Sequence, residues 1–268
     1  MLRGYKRDDP PTLPQLAVPV ALLRHLLDST WRHTAQHGHC PHREAQADLC
    51  NIALYYLLRV GEYTPPRTSG TRNTVPFAVK NVTFWQGQHI IPNTAPLDQL
   101  YQATAASIVI PRQKNGTKGQ CITQDCTQTV HSPIKSLARR VHHILSNGGS
   151  LDTAIHCVKH PFYTRDRAVT AHNINCLLKQ AAGEIGLYTR GYEPSDISSH
   201  SLRAGGAMAL HLNGADAQTI QKLGRWKSTT FLQYIHEQIS AFSAGLSTKM
   251  STDIPFAHMA GPRTHTVL

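Results

Sequence analysis

The segment SSHSLRAGGAMALHLNGADAQTIQKLGRWKSTTFLQYIH, from Ser198 to His236, holds the residue types best suited to chemistry. His200 and Arg203 stand three positions apart at the start of a run with helical spacing, so both side chains can leave one face toward one target. A guanidinium is permanently charged and forks onto two oxygens. That suits a phosphate whose negative charge rises toward a pentacovalent transition state. His200 could donate to the same oxygens or handle the proton of a nucleophile. The plainer reading makes it a capping or core histidine, with Ser199 or Ser201 supplying the cap.

These side chains need elements to hold them. Leu16–Trp31 has helical spacing, with Pro19 suited to a first turn. A second helix is expected over Arg43–Glu62, from Leu49, Ile52, Ala53, Tyr56, Leu57 and Val60, until Pro65 and Pro66 stop it. Arg59 would lie near its C-terminal end, where complementing the helix dipole beside Glu62 is a sufficient role. Val75–Trp85 and Ala106–Ile110 are β-branched or aromatic runs, and QKNGTKGQ adds Asn-Gly turn chemistry, so a small antiparallel sheet is expected. Helical spacing returns at Pro133–Leu145, Thr170–Ile185, Ser201–Leu212 and Asp216–Leu223, and a further short helix would carry Tyr234. Taken alone, Tyr234 reads as an amphipathic-helix residue with its hydroxyl at the surface. Residues 1–14, with Pro10, Pro11 and Pro14, read as an extended linker, 15–247 as one domain and 248–268 as a flexible tail.

The HxxR pair, the LGRW turn and the tyrosine inside LQYI together resemble the tyrosine recombinases. LLRVGEYT resembles that family's first arginine motif, which implies Arg59 as a second phosphate clamp and Glu62 as a supporting carboxylate. IPRQKNGTKG resembles the β-hairpin carrying the family's lysine, implying Lys114, with Lys118 in the same turn as the alternative. The resemblance runs from Leu16 to Gly245. It implies a mainly α-helical catalytic domain with a small three-stranded antiparallel sheet, an α+β fold. By the same resemblance Tyr234 attacks a DNA phosphate, leaving a 3′-phosphotyrosine and a free 5′-hydroxyl. Arg59 and Arg203 would stabilise the nonbridging oxygens while Lys114 protonates the leaving 5′ oxygen. Covalent storage of the bond energy implies no cofactor, neither ATP nor metal.

One position departs from the family pattern. Counting back from Tyr234, the residue that packs on the phosphate falls on Arg225, whereas residue type points to Trp226, which is preferred. SLRAGGAMAL followed by GRWKSTTFLQYI is closest in flavour to recombinases of eukaryotic mobile elements of the Crypton type. The implied partners are double-stranded DNA and three further copies in a homotetramer on paired sites. The family's N-terminal core-binding domain is expected to be absent, which would lower DNA affinity by removing phosphate contacts. Two rivals remain open: a type IB topoisomerase-like nicking-closing enzyme, and a DNA-binding remnant without catalysis.

Composition agrees with a polyanionic partner. Lys and Arg number 27 against 16 Asp and Glu, for a formal charge of +11, which favours nucleic acid or an acidic membrane surface. Arg112, Lys118, Arg225, Lys227, Arg139 and Arg140 are the candidate DNA contacts, the last two serving equally as a solvated face. No run of about 18 apolar residues and no signal-like start exist, so no membrane partner is expected. Localisation is expected to be intracellular, in the nucleus if the host is eukaryotic. Six cysteines without a CxxC pair read as reduced thiols. The cluster His33, His37, His39, Cys40, His42 and Cys50 lacks both CxxC and an HxxxH on a clear helix, and no metal site is expected.

Overall fold

In the computed structural model the described residues are 15–66, 74–113, 116–127, 129–159, 167–226, 231, 232 and 235. The expected linker 1–14 and tail 248–268 lie outside them, as do Lys114, Lys227 and Tyr234.

Helix α1 spans Val20–His37, one turn later at its start and longer at its end than its apolar spacing suggests, because Pro19 caps it and Gly38 closes it at φ 84°. Helix α2, Pro41–Tyr55, starts on a proline at its first turn, where no amide partner is needed. Buried on almost every side, it is the axis of the domain and packs on α1, on α5 (Pro133–Ser146) and on α7 (Ser199–Leu212), while the one-turn α4 (Leu97–Leu100) rests on α5. Between these, α6 (Ala171–Glu184) begins at Thr170, whose hydroxyl takes the Asn173 amide while Asn173 Oδ1 takes the Thr170 amide.

Two glycines explain how α7 lies so close to its neighbours. A Cβ on Gly205 would fall 2.4 Å from the Val18 carbonyl oxygen, and one on Gly206 2.3 Å from that of Leu54. Glycine in a helix interior costs about 1 kcal/mol relative to alanine. Here it lets α7 rest on the backbone at the end of α2 and so delivers Arg203 to that point.

The sheet is antiparallel and four-stranded in the order β2-β1-β3-β4, from β1 (Val82–Gln86), β2 (His89–Ile91), β3 (Ala105–Ile110) and β4 (Gln120–Asp125). It has one strand more than expected. The extra strand is β2, three residues long with only Ile91 buried, too short to leave an alternation in the sequence. The run Val75–Trp85 is strand only from Val82; a 3₁₀ turn at Val79–Asn81 precedes it, and Val75 makes a lone bridge to Arg112. A two-stranded pair, β5 (Cys157–Val158) and β6 (Arg167–Ala168), lies apart from this sheet. The domain is thus mainly helical with a small antiparallel sheet.

The expected helix to Glu62 is broken. Helix α2 ends at Tyr55, Leu57 turns left-handed at φ 47°, and Arg59 becomes the N-cap of the short α3 (Val60–Tyr63). Arg59 is therefore not at a helix C-terminus. No described helix is long and apolar enough to cross a membrane.

Candidate active site

The break at Leu57 is where the site is built. Among the described residues only Leu57 and Arg225 are non-glycine residues with positive φ, at 47° and 58°. Left-handed backbone costs a residue with a Cβ roughly 1–2 kcal/mol, and the two strained residues meet. The Leu57 carbonyl accepts from Arg225 Nη2 at 3.1 Å and from Arg203 Nη1. Arg203 Nη2 donates to the Gly224 carbonyl at the end of α8 (Ala217–Gly224).

Glu62, fully buried, is the counter-ion. Its Oε1 pairs with Arg59 Nη1 at 3.2 Å and its Oε2 with Arg225 Nη2 at 2.7 Å, and Oε2 also accepts the Arg59 backbone amide at 2.8 Å. Arg59 Nη1 further donates to Gln113 Oε1 at 2.9 Å, and Nη2 to the Arg225 carbonyl at 3.3 Å. Two guanidiniums thus share one carboxylate, and a third, that of Arg203, meets Arg225 on the Leu57 carbonyl. Arg225, 6% exposed, keeps Nε and Nη1 without an acceptor among the described residues. Burial pushes its pKa down, Glu62 opposes that shift, and the charge of Arg59 adds to it.

A polar groove of about 500 Å³ opens beside this cluster, lined by Thr117, Gln120, Gln218, Gln221, Lys222, Arg225 and Trp226. The Trp226 ring lies 4.1 Å from the Arg203 guanidinium, a cation–π contact, and 5.6 Å from the Phe231 ring. It also sits on Gly224, where an added Cβ would overlap the indole at 1.5 Å. Phe231 and Ile235, on either side of position 234, are buried with Ala207 and Ile220 in a small cluster of their own.

The structure therefore brings together Arg59, Glu62, Arg203, Arg225 and Trp226. His200 is exposed in the first turn of α7, with Ser198 Oγ taking its amide at 3.2 Å. Arg112 and Lys118 are exposed around the β3–β4 turn, whose backbone is closed by one bond from Gln113 to Thr117 and one from Gly116 to Gln113. Lys222, Gln113 and the Leu57 carbonyl were missed by sequence reasoning. The one available signal was the placement of Gln113 immediately before Lys114 in the turn.

Two expectations need correction. Arg139 and Arg140 do not form a DNA-facing pair. Arg139 clamps buried Asp48 with Nε at 3.0 Å and Nη2 at 2.5 Å and lies 4.6 Å over the Trp31 ring. Arg140, 2% exposed, donates to the carbonyls of Ile155 and Cys157. Second, His33 and His37 do share a helix, one turn apart on α1 with ring centroids 4.8 Å apart. No group of three potential metal ligands occurs among the described residues.

Solved structures share this architecture. The XerH site-specific recombinase bound to its difH substrate in a pre-cleavage complex matches with TM-score 0.52 and 17% identity, over 90% of this chain and 56% of that one. The same recombinase in a post-cleavage complex on palindromic difH gives 0.51 and 16%, over 88% and 53%. The XerA recombinase gives 0.50 and 15%, over 90% and 65%. The fold is that of the tyrosine recombinase catalytic domain. This chain spans little more than half the length of the XerH chains. No family model matches it, and no curated protein matches it in sequence. Within the recombinase fold, the arginine cluster joins the α2–α3 break to the end of α8.

Proposed function

We propose that this chain breaks and rejoins double-stranded DNA through a transient bond between Tyr234 and a backbone phosphate. The Tyr234 oxygen attacks phosphorus, the bond to the 5′ oxygen breaks, and a 3′-phosphotyrosine and a 5′-hydroxyl result. His200 takes the phenolic proton, and Lys114, or Lys118 in the same turn, protonates the departing 5′ oxygen. Arg59, Arg203 and Arg225 hold the nonbridging oxygens, and Trp226 packs beside them. Attack by a 5′-hydroxyl reverses the step and seals the same strand or a new one. Residues 15–247 form the catalytic domain, acting in the cell interior, as a homotetramer on paired sites in the manner of a Crypton-type mobile-element recombinase. Lys118, Arg112 and Lys227 add backbone contacts.

The observation that carries this reading is the crowding of charge at the α2–α3 break: Arg59 and Arg225 share the Glu62 carboxylate, Arg203 meets Arg225 on the Leu57 carbonyl, and two buried Arg225 donors have no acceptor among the described residues. A buried donor left unsatisfied costs about 1–3 kcal/mol, and a phosphate in the neighbouring groove would meet that need. A second reading, DNA binding without chemistry, draws on one observation: both Arg203 Nη atoms donate to protein carbonyls beneath the Trp226 ring. The test incubates the protein with nicked duplexes of randomised sequence and recovers DNA that resists detergent and heat. Adducts from the wild type and none from Tyr234→Phe support strand breakage. DNA bound by the wild type without any adduct supports the second reading.

A further inference from the structure

The Arg59 guanidinium is held from three sides, and only two of the holders belong to the arginine cluster. Glu62 and the Arg225 carbonyl are those two; the third is Gln113, fully buried at the corner where β3 passes into its turn. Arginine has no acceptor, so the Gln113 oxygen must face Arg59 and its amide nitrogen must face away. That nitrogen donates to Gln120 Oε1 at 2.6 Å, on the first residue of β4. The Gln113 main chain closes the turn as well, its amide donating to the Thr117 carbonyl at 2.9 Å and its carbonyl accepting from Gly116 at 2.9 Å. One residue thus ties the guanidinium, both strands of the hairpin and the turn that follows into a single bonded unit.

We infer that Gln113 is a positioning residue for the phosphate clamp: it fixes the plane of the Arg59 guanidinium and locks it to the β3–β4 hairpin. The inference rests on the strand-breaking reading for its consequence, though not for its geometry. Arg59 Nη1 spends its donors on Glu62 and Gln113, which leaves Nε and one Nη2 hydrogen without an acceptor among the described residues. Neighbouring donors of that kind form the fork that takes two phosphate oxygens. Without Gln113 the guanidinium keeps its ion pair to Glu62 but loses the bond that sets its rotation, and a misplacement of about 1 Å is enough to cost roughly a hundredfold in rate. The exposed Lys118 of the same turn would lose its fixed distance from the clamp.

Two readouts separate this inference from the reading beneath it. The first uses the free protein: nitrogen-15 spectra of the arginine side chains, with Arg59 assigned through Arg59→Lys. Wild type should show resolved Arg59 Nη signals from restricted rotation. Gln113→Met, which keeps the volume and removes both bonds, should collapse them to an average. Gln113→Glu, which keeps an acceptor for Arg59, should retain them. The second is single-turnover adduct formation on a nicked duplex, where Gln113→Met should be 10- to 100-fold slower with a DNA Kd within twofold of wild type, and Gln113→Glu should be faster than Gln113→Met. If Gln113→Met does not fold, Gln120→Met loosens Gln113 without touching Arg59 and should broaden the same signals. Resolved Arg59 signals in Gln113→Met, or wild-type cleavage by it, overturn the inference. A wild type that forms no adduct overturns strand breakage instead, and the spectra then decide the role of Gln113 alone.

Discussion

Two arginine clusters in this molecule differ in how fully the protein satisfies their donors. Arg139 meets Asp48 through two nitrogens, and Arg140 meets two carbonyls, so the group near α5 is satisfied from within the protein. The group around Glu62 sets Arg59 and Arg225 on one carboxylate, stands on left-handed backbone at Leu57 and Arg225, and keeps two Arg225 donors without an acceptor among the described residues. Burial alone does not distinguish them, since it pushes Arg140 down to about 10 and lowers Arg225 too. Satisfaction does. A guanidinium paired inside the core holds the fold, whereas surplus charge on strained backbone is the mark of a site built for an outside anion.

The sharpest way to break this contrast is to remove one arginine from each group. Arg139→Met leaves Asp48 buried without its partner and should cost about 3–5 kcal/mol of stability, read from urea unfolding, while the salt dependence of DNA binding stays that of wild type. Arg59→Ala should do the reverse: a smaller loss of stability, about 1–3 kcal/mol from the orphaned Gln113 oxygen since Glu62 keeps Arg225, with adduct formation slowed about 10²- to 10³-fold, or roughly 2.7–4 kcal/mol of transition-state stabilisation.

A pH titration sharpens the structural side of the comparison. Burial, and after it the charge of Arg140, pushes His143 and His156 down to about 4, below the ordinary histidine value. Between pH 6.5 and 4 the unfolded chain therefore takes up protons that the folded chain refuses. Stability is full above about pH 7 and should fall by on the order of 1–3 kcal/mol as the pH drops through that window. Urea midpoints at a series of pH values should show this, with a smaller drop in His156→Leu. The smallest expected change in stability belongs to Arg225→Gln, which removes two unsatisfied donors and leaves Glu62 paired with Arg59. Its unfolding free energy should stay within about 1 kcal/mol of wild type, yet the slope of log K against log salt for DNA should become less negative by about 0.9.

The sequence carried most of the helices, because local spacing decides them. It could not carry the break after α2. The apolar pattern runs straight through Tyr56, Leu57 and Val60, and the left-handed turn is held by guanidiniums 146 and 168 residues away. For the same reason Arg59 reads in the sequence as a residue near a helix C-terminus, when it is an N-cap beside the fully buried Glu62. Strand β2 was unreadable because it is three residues long and buries only Ile91, and Arg139 with Arg140 looked like a basic face because Asp48 and the Ile155 and Cys157 carbonyls meet them only in three dimensions.

The direct test of the surplus charge is to take away the charge it is meant to meet. With a target duplex recovered from the randomised pool, the cleaved linkage is replaced by a neutral methylphosphonate and adduct formation is timed for wild type and Arg59→Ala. If the arginines neutralise the phosphate, the gap between the two proteins should shrink from about 10²- to 10³-fold to less than about threefold on the neutral linkage. A gap of the same size on both linkages would contradict that role and return Arg59 to the architecture of the fold.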